Sequence, residues 1–266
     1  MNRYINTFSS VKQQNRIAFI PFAVAGDPDP DLSRRILQTY LDAGADILEI
    51  GYPFSDPMAD GPVNQRAAQR AIAAGLNHKS FFEMIASLRA NTETPFGLLL
   101  YANSIYHLGI DDFCRRAADA GIDSLLVADM PPEESNDLLQ SMDRHGLKSV
   151  FIVSELTDES RTRYICQNTT GFIYVVSRLG TTGVKQQFSL TVNDTIERLR
   201  SCTHLPLCVG FGISSSDHVK AVKQSGADGA IVGSKLVGII EQYRNNQDEM
   251  LGKLHDSISE FVSATR

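Results

Sequence analysis

The stretch EIGYPFSDPMADGP, residues 49–62, places three carboxylates where carboxylates can do chemistry. Glu49 interrupts the apolar run DILEIGY (46–52), whose aliphatic content predicts a buried strand. Side chains alternate across a strand, so Ile47, Glu49 and Gly51 share one face and Leu48 and Ile50 the other. A carboxyl group taken out of water is harder to ionise, which lets Glu49 both give and take a proton near neutral pH. The competing role is an ion pair with an arginine. Against it stand the position of Glu49 at the C-terminal end of its run and the lack of arginine at the matching ends of neighbouring runs. Beyond it, Asp56 and Asp60 lie on a loop stiffened by Pro53, Pro57 and Pro62. An aspartate before Gly61 is ordinary turn chemistry. A loop with three prolines after a strand also suits one that holds or covers a site, with one aspartate over its mouth.

A second constellation follows the last three apolar runs. SRLGTTGVKQQ, GFGISSS and IVGSK set Gly183, Gly212, Gly233 and Ser234 where backbone N–H groups can converge on an anion such as phosphate. Glycines that only end strands tightly are the alternative. Absences narrow the reaction further. No lysine lies in the upper half of any apolar run, so a Schiff-base aldolase lacks its nucleophile unless Lys185 or Lys235 serves. The six histidines fall outside the runs and read as surface or capping residues, so metal ligands are missing and no metal is expected. Neither a P-loop nor a dinucleotide fingerprint is present. What remains is proton transfer by carboxylates on a substrate that carries a phosphate.

The elements that must position these groups repeat along the chain. Eight apolar runs, at 16–24, 46–52, 95–102, 123–130, 148–154, 171–177, 206–212 and 228–234, alternate with amphipathic stretches. Continuous rather than alternating apolarity predicts strands covered on both faces, as in a parallel sheet with helical crossovers. SFFE (80–83) has capping-box form, and SSSDHVKAVKQSG begins with cap residues and ends on Gly226. DAGAD, DAGID and QSGAD each stop a helix at glycine and enter the next strand through aspartate. Eight such units without a linker predict one domain, an α/β chain folded as a (β/α)8 TIM barrel, with an N-terminal helix over 1–14 and a helical tail over 237–266. In such a barrel the strand ends carry the chemistry.

At 266 residues, 42% hydrophobic and a net charge of -6, the chain suits one soluble domain and offers no basic surface for nucleic acid or an anionic membrane. No run is long enough to span a bilayer and the first residues lack a signal-peptide core, so a cytoplasmic protein is expected. Four scattered cysteines, Cys114, Cys166, Cys202 and Cys208, read as small buried hydrophobes.

LEIGYPFSDPMADGPVNQRA, together with IPFAVAGDP, LLLYAN, LLVADMPPEE, SRLGTTG and VGFGISS in that order, resembles the tryptophan synthase α subunit family across essentially the whole chain. The resemblance implies cleavage of indole-3-glycerol phosphate to indole and glyceraldehyde 3-phosphate, with no cofactor in this chain. It implies a pyridoxal phosphate-bearing β subunit as partner, in an αββα heterotetramer. By the same likeness Glu49 is the general acid/base and Asp60 the carboxylate that binds the indole N–H. Phe22, Leu99, Tyr101, Ala128, Ile152, Tyr174 and Phe211 then line the indole pocket, and Gly183, Gly212, Gly233 and Ser234 hold the phosphate. Thr182 matches the mobile-loop threonine, and Pro53, Asp56 and Pro131 fall at the β-subunit interface. A free-standing lyase that releases indole, a barrel that only activates its partner, and another phosphosugar barrel such as phosphoribosylanthranilate isomerase are the alternatives.

Overall fold

Each of the eight apolar runs holds a strand. The computed structural model describes residues 2–176, 185–210 and 212–266. Its strands are β1 (Ala18–Val24), β2 (Leu48–Gly51), β3 (Phe96–Leu100), β4 (Ser124–Val127), β5 (Lys148–Ser149), β6 (Phe151–Ser154), β7 (Ile173–Val176), β8 (Leu207–Gly210) and β9 (Gly229–Val232). They pair in the order β5-β4-β3-β2-β1-β9-β8-β7-β6, and every pairing is parallel. β5 and β6 are two pieces of one apolar run, parted at Val150, whose N–H donates to the Leu125 carbonyl at 3.0 Å. The two ends of the sheet thus belong to one stave, and the sheet closes on itself as the expected (β/α)8 barrel. The break was not expected. Above it the ladder between β4 and β6 lapses, leaving a cleft lined by Leu126, Ala128, Phe151 and Ile152. An ion pair between Arg161 and Glu133 at 2.5 Å stands at that cleft.

The repeated glycine-aspartate phrases act at both ends of their units. Gly44, Gly121 and Gly226 have φ of +96°, +93° and +80°, a left-handed conformation that ends a helix and that glycine adopts without strain. The aspartates behind them bracket the bottom rim of the barrel. Asp46 accepts from the Phe19 N–H at 2.9 Å, Asp123 from Phe96 at 2.8 Å and Asp228 from Leu207 at 2.7 Å, so each caps the start of the strand before its own. Arg16, Arg89 and Arg200 bind the same three carboxylates. One capping expectation fails. The box is built by Asn77 and Ser80, with both reciprocal bonds at 3.1 Å, so the helix begins at His78 and Glu83 takes no part. Asparagine is as good an N-cap as serine, and here it stands three residues earlier.

The N-terminal helix is Arg3–Gln13 and it plugs the bottom of the barrel. Its Tyr4 and Val11 pack with the inward residues Ile20, Ile47, Leu126, Val150 and Ile231. Leu48 and Ile50 belong to the outer layer under the helices, as strand alternation requires. The tail consists of two helices, Ser234–Tyr243 and Gln247–Ala264. Cys114, Cys166 and Cys208 are buried, Cys202 is partly so, and all four are free. Among the described residues no helix is long and apolar enough to cross a membrane.

One charged network fixes the two helices that begin at the top of the barrel on either side of β1. Arg70, on the helix Pro62–Ala73, grips Asp27 through two bonds at 2.7 and 2.9 Å. It also reaches Glu241 of the helix Ser234–Tyr243 at 2.9 Å, and Arg66 binds that carboxylate at 2.7 and 2.8 Å. The Asp27 side chain is 0% exposed. Burial raises its pKa although Arg70 opposes the shift. Removing one partner of a buried pair strands the other. Arg70→Ala is therefore expected to lower unfolding free energy by about 3 kcal/mol, read as a fall in the urea midpoint. An unchanged midpoint would show that Asp27 needs no counter-charge.

Candidate active site

The C-terminal ends of the strands surround a cavity of about 160 Å³. A single water needs roughly 10–15 Å³ in a comparable measure, so a molecule of several ring atoms fits. Glu49 on β2 lies opposite Phe22 of β1 and Gly97 of β3 in the ladder. It is 6% exposed and lines the cavity. Burial first, and the neighbouring charge of Asp60 second, push its carboxyl up to about 8. Among the described residues no cation lowers it. The ion pair that sequence left open as a rival role is absent among the described residues.

Asp60 faces the same cavity from the loop after β2. It ends that loop one residue before Gly61, the N-cap of the helix Pro62–Ala73. The Tyr101 hydroxyl donates to its Oδ2 at 2.8 Å, and Asn64 Nδ2 approaches Oδ1 at 3.4 Å. Gln65 holds its backbone carbonyl at 2.9 Å. Burial, then the bond to Asp60, raises the pKa of Tyr101. Asp56 is exposed and bonds Ser55, while Pro53 is buried and Pro131 half-buried.

Phe22, Leu99, Tyr101, Ala128, Ile152 and Tyr174 form the apolar wall, and Gly212, Gly233 and Ser234 also line the cavity, with Gly233 against the Phe22 ring. Gly233 is the N-cap of the helix Ser234–Tyr243 and supplies no side-chain cap, so the first N–H groups of that helix are open to an anion. Thr182, Gly183 and Phe211 lie outside the described residues. Two glycines make room for the wall. A Cβ on Gly51 would stand 2.7 Å from the Phe22 ring, and one on Gly210 would overlap the Tyr174 hydroxyl.

Asn64, Val176, Ile213 and Ile231 also line the cavity and were not foreseen. Val176 and Ile231 stand two residues from Tyr174 and Gly233, so strand alternation carried the signal. Asn64 stands four residues from Asp60, and Ile213 has no local signal. His78 departs from its expected surface role. Its ring stacks on Tyr52 at 5.0 Å, its Nδ1 is buried without a partner, and burial lowers its pKa. Among the described residues no three His, Cys, Asp or Glu side chains converge as metal ligands do.

A family model described as tryptophan synthase alpha chain matches residues 8–266. The chain belongs to the tryptophan synthase alpha chain family. It is 43% identical over 247 residues to the alpha chain of Methanothermobacter thermautotrophicus, covering 93% of this chain and 92% of that one. It is 42% identical over 267 residues to the alpha chain of Escherichia coli K12, covering all of both. Among solved structures, the tryptophan synthase subunit alpha of Legionella pneumophila superimposes with a TM-score of 0.90 at 32% identity, over 100% of this chain and 98% of that one. A chain of the tryptophan synthase a2b2 complex of Pyrococcus furiosus does so with 0.86 at 34% identity, over 93% and 99%. These similarities, like the barrel, span the chain.

The raised carboxyl has a thermodynamic signature. Glu49 holds its proton in the fold up to about 8, whereas its ordinary value is 4.5. The folded state therefore binds more protons than the unfolded one in that window, and stability falls as pH rises through it. Glu49→Gln, which never ionises, is expected to gain on the parent by about 1.4 kcal/mol per pH unit between those limits. Urea unfolding at pH 5, 6, 7 and 8 reads the difference, and parallel curves would refute it.

Proposed function

We propose that this cavity cleaves indole-3-glycerol phosphate to indole and glyceraldehyde 3-phosphate, the activity of the alpha chain in tryptophan biosynthesis. One observation carries the assignment of roles: a protonated carboxyl and a second carboxylate face a single apolar cavity that an uncapped helix start also lines. The phosphate lies against Gly212, Gly233 and Ser234. The indole ring fills the space bounded by Phe22, Leu99 and Tyr174.

The reaction needs a proton on indole C3 before the bond to the glycerol carbon can break. Glu49 gives that proton, and positive charge develops at the ring nitrogen, where Asp60 stabilises it through the N–H. The Glu49 carboxylate then takes the glycerol hydroxyl proton. The carbon-carbon bond breaks, its electrons return to the ring, an aldehyde forms and Glu49 ends protonated as it began. A carboxyl near 8 suits both directions of transfer.

In this reading the chain supplies no cofactor, and pyridoxal phosphate belongs to a partner β subunit in an αββα assembly in the cytoplasm. The rim around the cavity supports a partner there. Met58 is 88% exposed, Leu156 72% and Tyr106 55%, each on a segment that follows a strand end. Asp56 and Pro131 lie on the same rim. Pro53 is buried, so it reaches a partner only through the loop it supports.

Glu49→Gln and Asp60→Asn are each expected to lower indole formation by about 10²-fold or more, with the barrel still folded by circular dichroism. Near-normal turnover in either removes that role. The active form carries the Glu49 proton, so kcat/KM is expected to fall as pH rises through about 8. Indole release measured with and without a β subunit separates an activated subunit from a free-standing lyase.

A further inference from the structure

By the family likeness Tyr101 is one wall of the indole pocket, but a wall does not need its hydroxyl. That hydroxyl donates to Asp60 Oδ2 at 2.8 Å and accepts from the Ala59 N–H at 3.0 Å. The directions are forced, because an amide can only donate and the phenol has one proton to give. The ring also stacks on Phe54, with centroids 5.1 Å apart and planes at 22°. The loop after β2 is thus clamped near both ends, at Phe54 and at Ala59–Asp60, on one side chain at the end of β3.

The clamp itself is fixed. Tyr101 is 3% exposed. Next to it the Ala102 N–H donates to Asp129 Oδ1 at 2.8 Å, and the ladder continues past β2 with the Tyr52 N–H on the Leu99 carbonyl at 2.8 Å. Among the described residues the other side-chain contact to the Asp60 carboxylate, from Asn64, is long at 3.4 Å. One oxygen is committed to Tyr101 and the other is the freer to bind a ligand.

We propose that Tyr101 is the positioning residue for Asp60: by holding Oδ2 it turns Oδ1 toward the N–H of an aromatic heterocycle in the cavity. This rests on the reading of Asp60 as the ring N–H acceptor. A carboxylate that can rotate about its last torsion spends only part of its time aligned, and alignment matters most where charge develops. Loss of the hydroxyl acts on kcat, since the apolar ring that touches the substrate remains.

Tyr101→Phe keeps the ring and its stack and removes both hydrogen bonds. Steady-state indole formation is measured for the parent, Tyr101→Phe, Asp60→Asn and the double variant, with urea midpoints to confirm folding. Tyr101→Phe is expected to lower kcat about 10-fold with KM changed less than about 2-fold. In the Asp60→Asn background the same substitution is expected to change kcat less than about 2-fold, because nothing remains to be aligned. A loss of equal size in both backgrounds would mean a structural role and overturn the proposal, as would full activity of Tyr101→Phe beside an impaired Asp60→Asn. Full activity of Asp60→Asn would overturn the functional reading beneath it as well.

Discussion

Keeping Glu49 inside the barrel costs the fold on the order of 3 kcal/mol at neutral pH, since the group must hold a proton that the unfolded chain releases. Net stabilities of domains are roughly 5–15 kcal/mol, so this is a large fraction for one side chain. An apolar residue at the position would remove it. The rest of the structure follows from that constraint. The barrel must be closed enough to keep the carboxyl dry, yet open above it so that the proton can reach a bound molecule. The N-terminal helix supplies the closure from below, with Tyr4 and Val11 in the barrel floor. The short strands and long loops supply the opening above.

The two rims divide the work. At the bottom, Asp46, Asp123 and Asp228 satisfy strand N–H groups and arginines together, which leaves little free to react. At the top, the start of the helix Ser234–Tyr243 has no side-chain cap, and among the described residues two carboxyl groups share a cavity without a cation. The same residue type is structural at one end and chemical at the other. Among the described residues the difference lies in whether an arginine is within reach. The network of Asp27, Arg70, Glu241 and Arg66 stands between these roles, since it ties together the helix that follows Asp60 and the helix that begins at Ser234.

Glu49 was legible because an acid is out of place in an aliphatic strand, and period-two alternation gave its direction. Barrel closure was legible from the count of units and their repeated glycine stops. The parting of β5 from β6 at Val150 was not, because KSVFIVS is an unbroken apolar run and only the partner strands decide where a ladder lapses. SFFE points to a helix start three residues late because Asn77 and Ser80 both offer a cap, and the structure uses Asn77. Tyr101 and Asp60 lie 41 residues apart, and composition gives a ring and a hydroxyl without saying where the hydroxyl points. Gly51 and Gly210 carried no signal either. Their need for glycine comes from the Phe22 and Tyr174 rings laid over them.

The two carboxyl groups of the site are mounted differently, and the difference suits their tasks. Glu49 stands on a central strand paired on both sides, so its backbone has no freedom to follow a ligand. Proton transfer to carbon demands that fixity, because reacting atoms must approach within about 3–3.5 Å in one alignment. Asp60 stands on a loop, held through side-chain bonds from Tyr101 and Gln65 rather than by a ladder. A carboxylate that binds a ring N–H needs direction but can tolerate small shifts as the ring moves during bond cleavage. The charge of Asp60 also acts on Glu49, adding to the burial that raises it. An arginine placed beside Glu49 would offset the cost of its burial and stabilise the fold, but it would fix Glu49 as a bare carboxylate with no proton to give. A pair without a counter-charge among the described residues is therefore the condition under which this barrel can do acid-base chemistry.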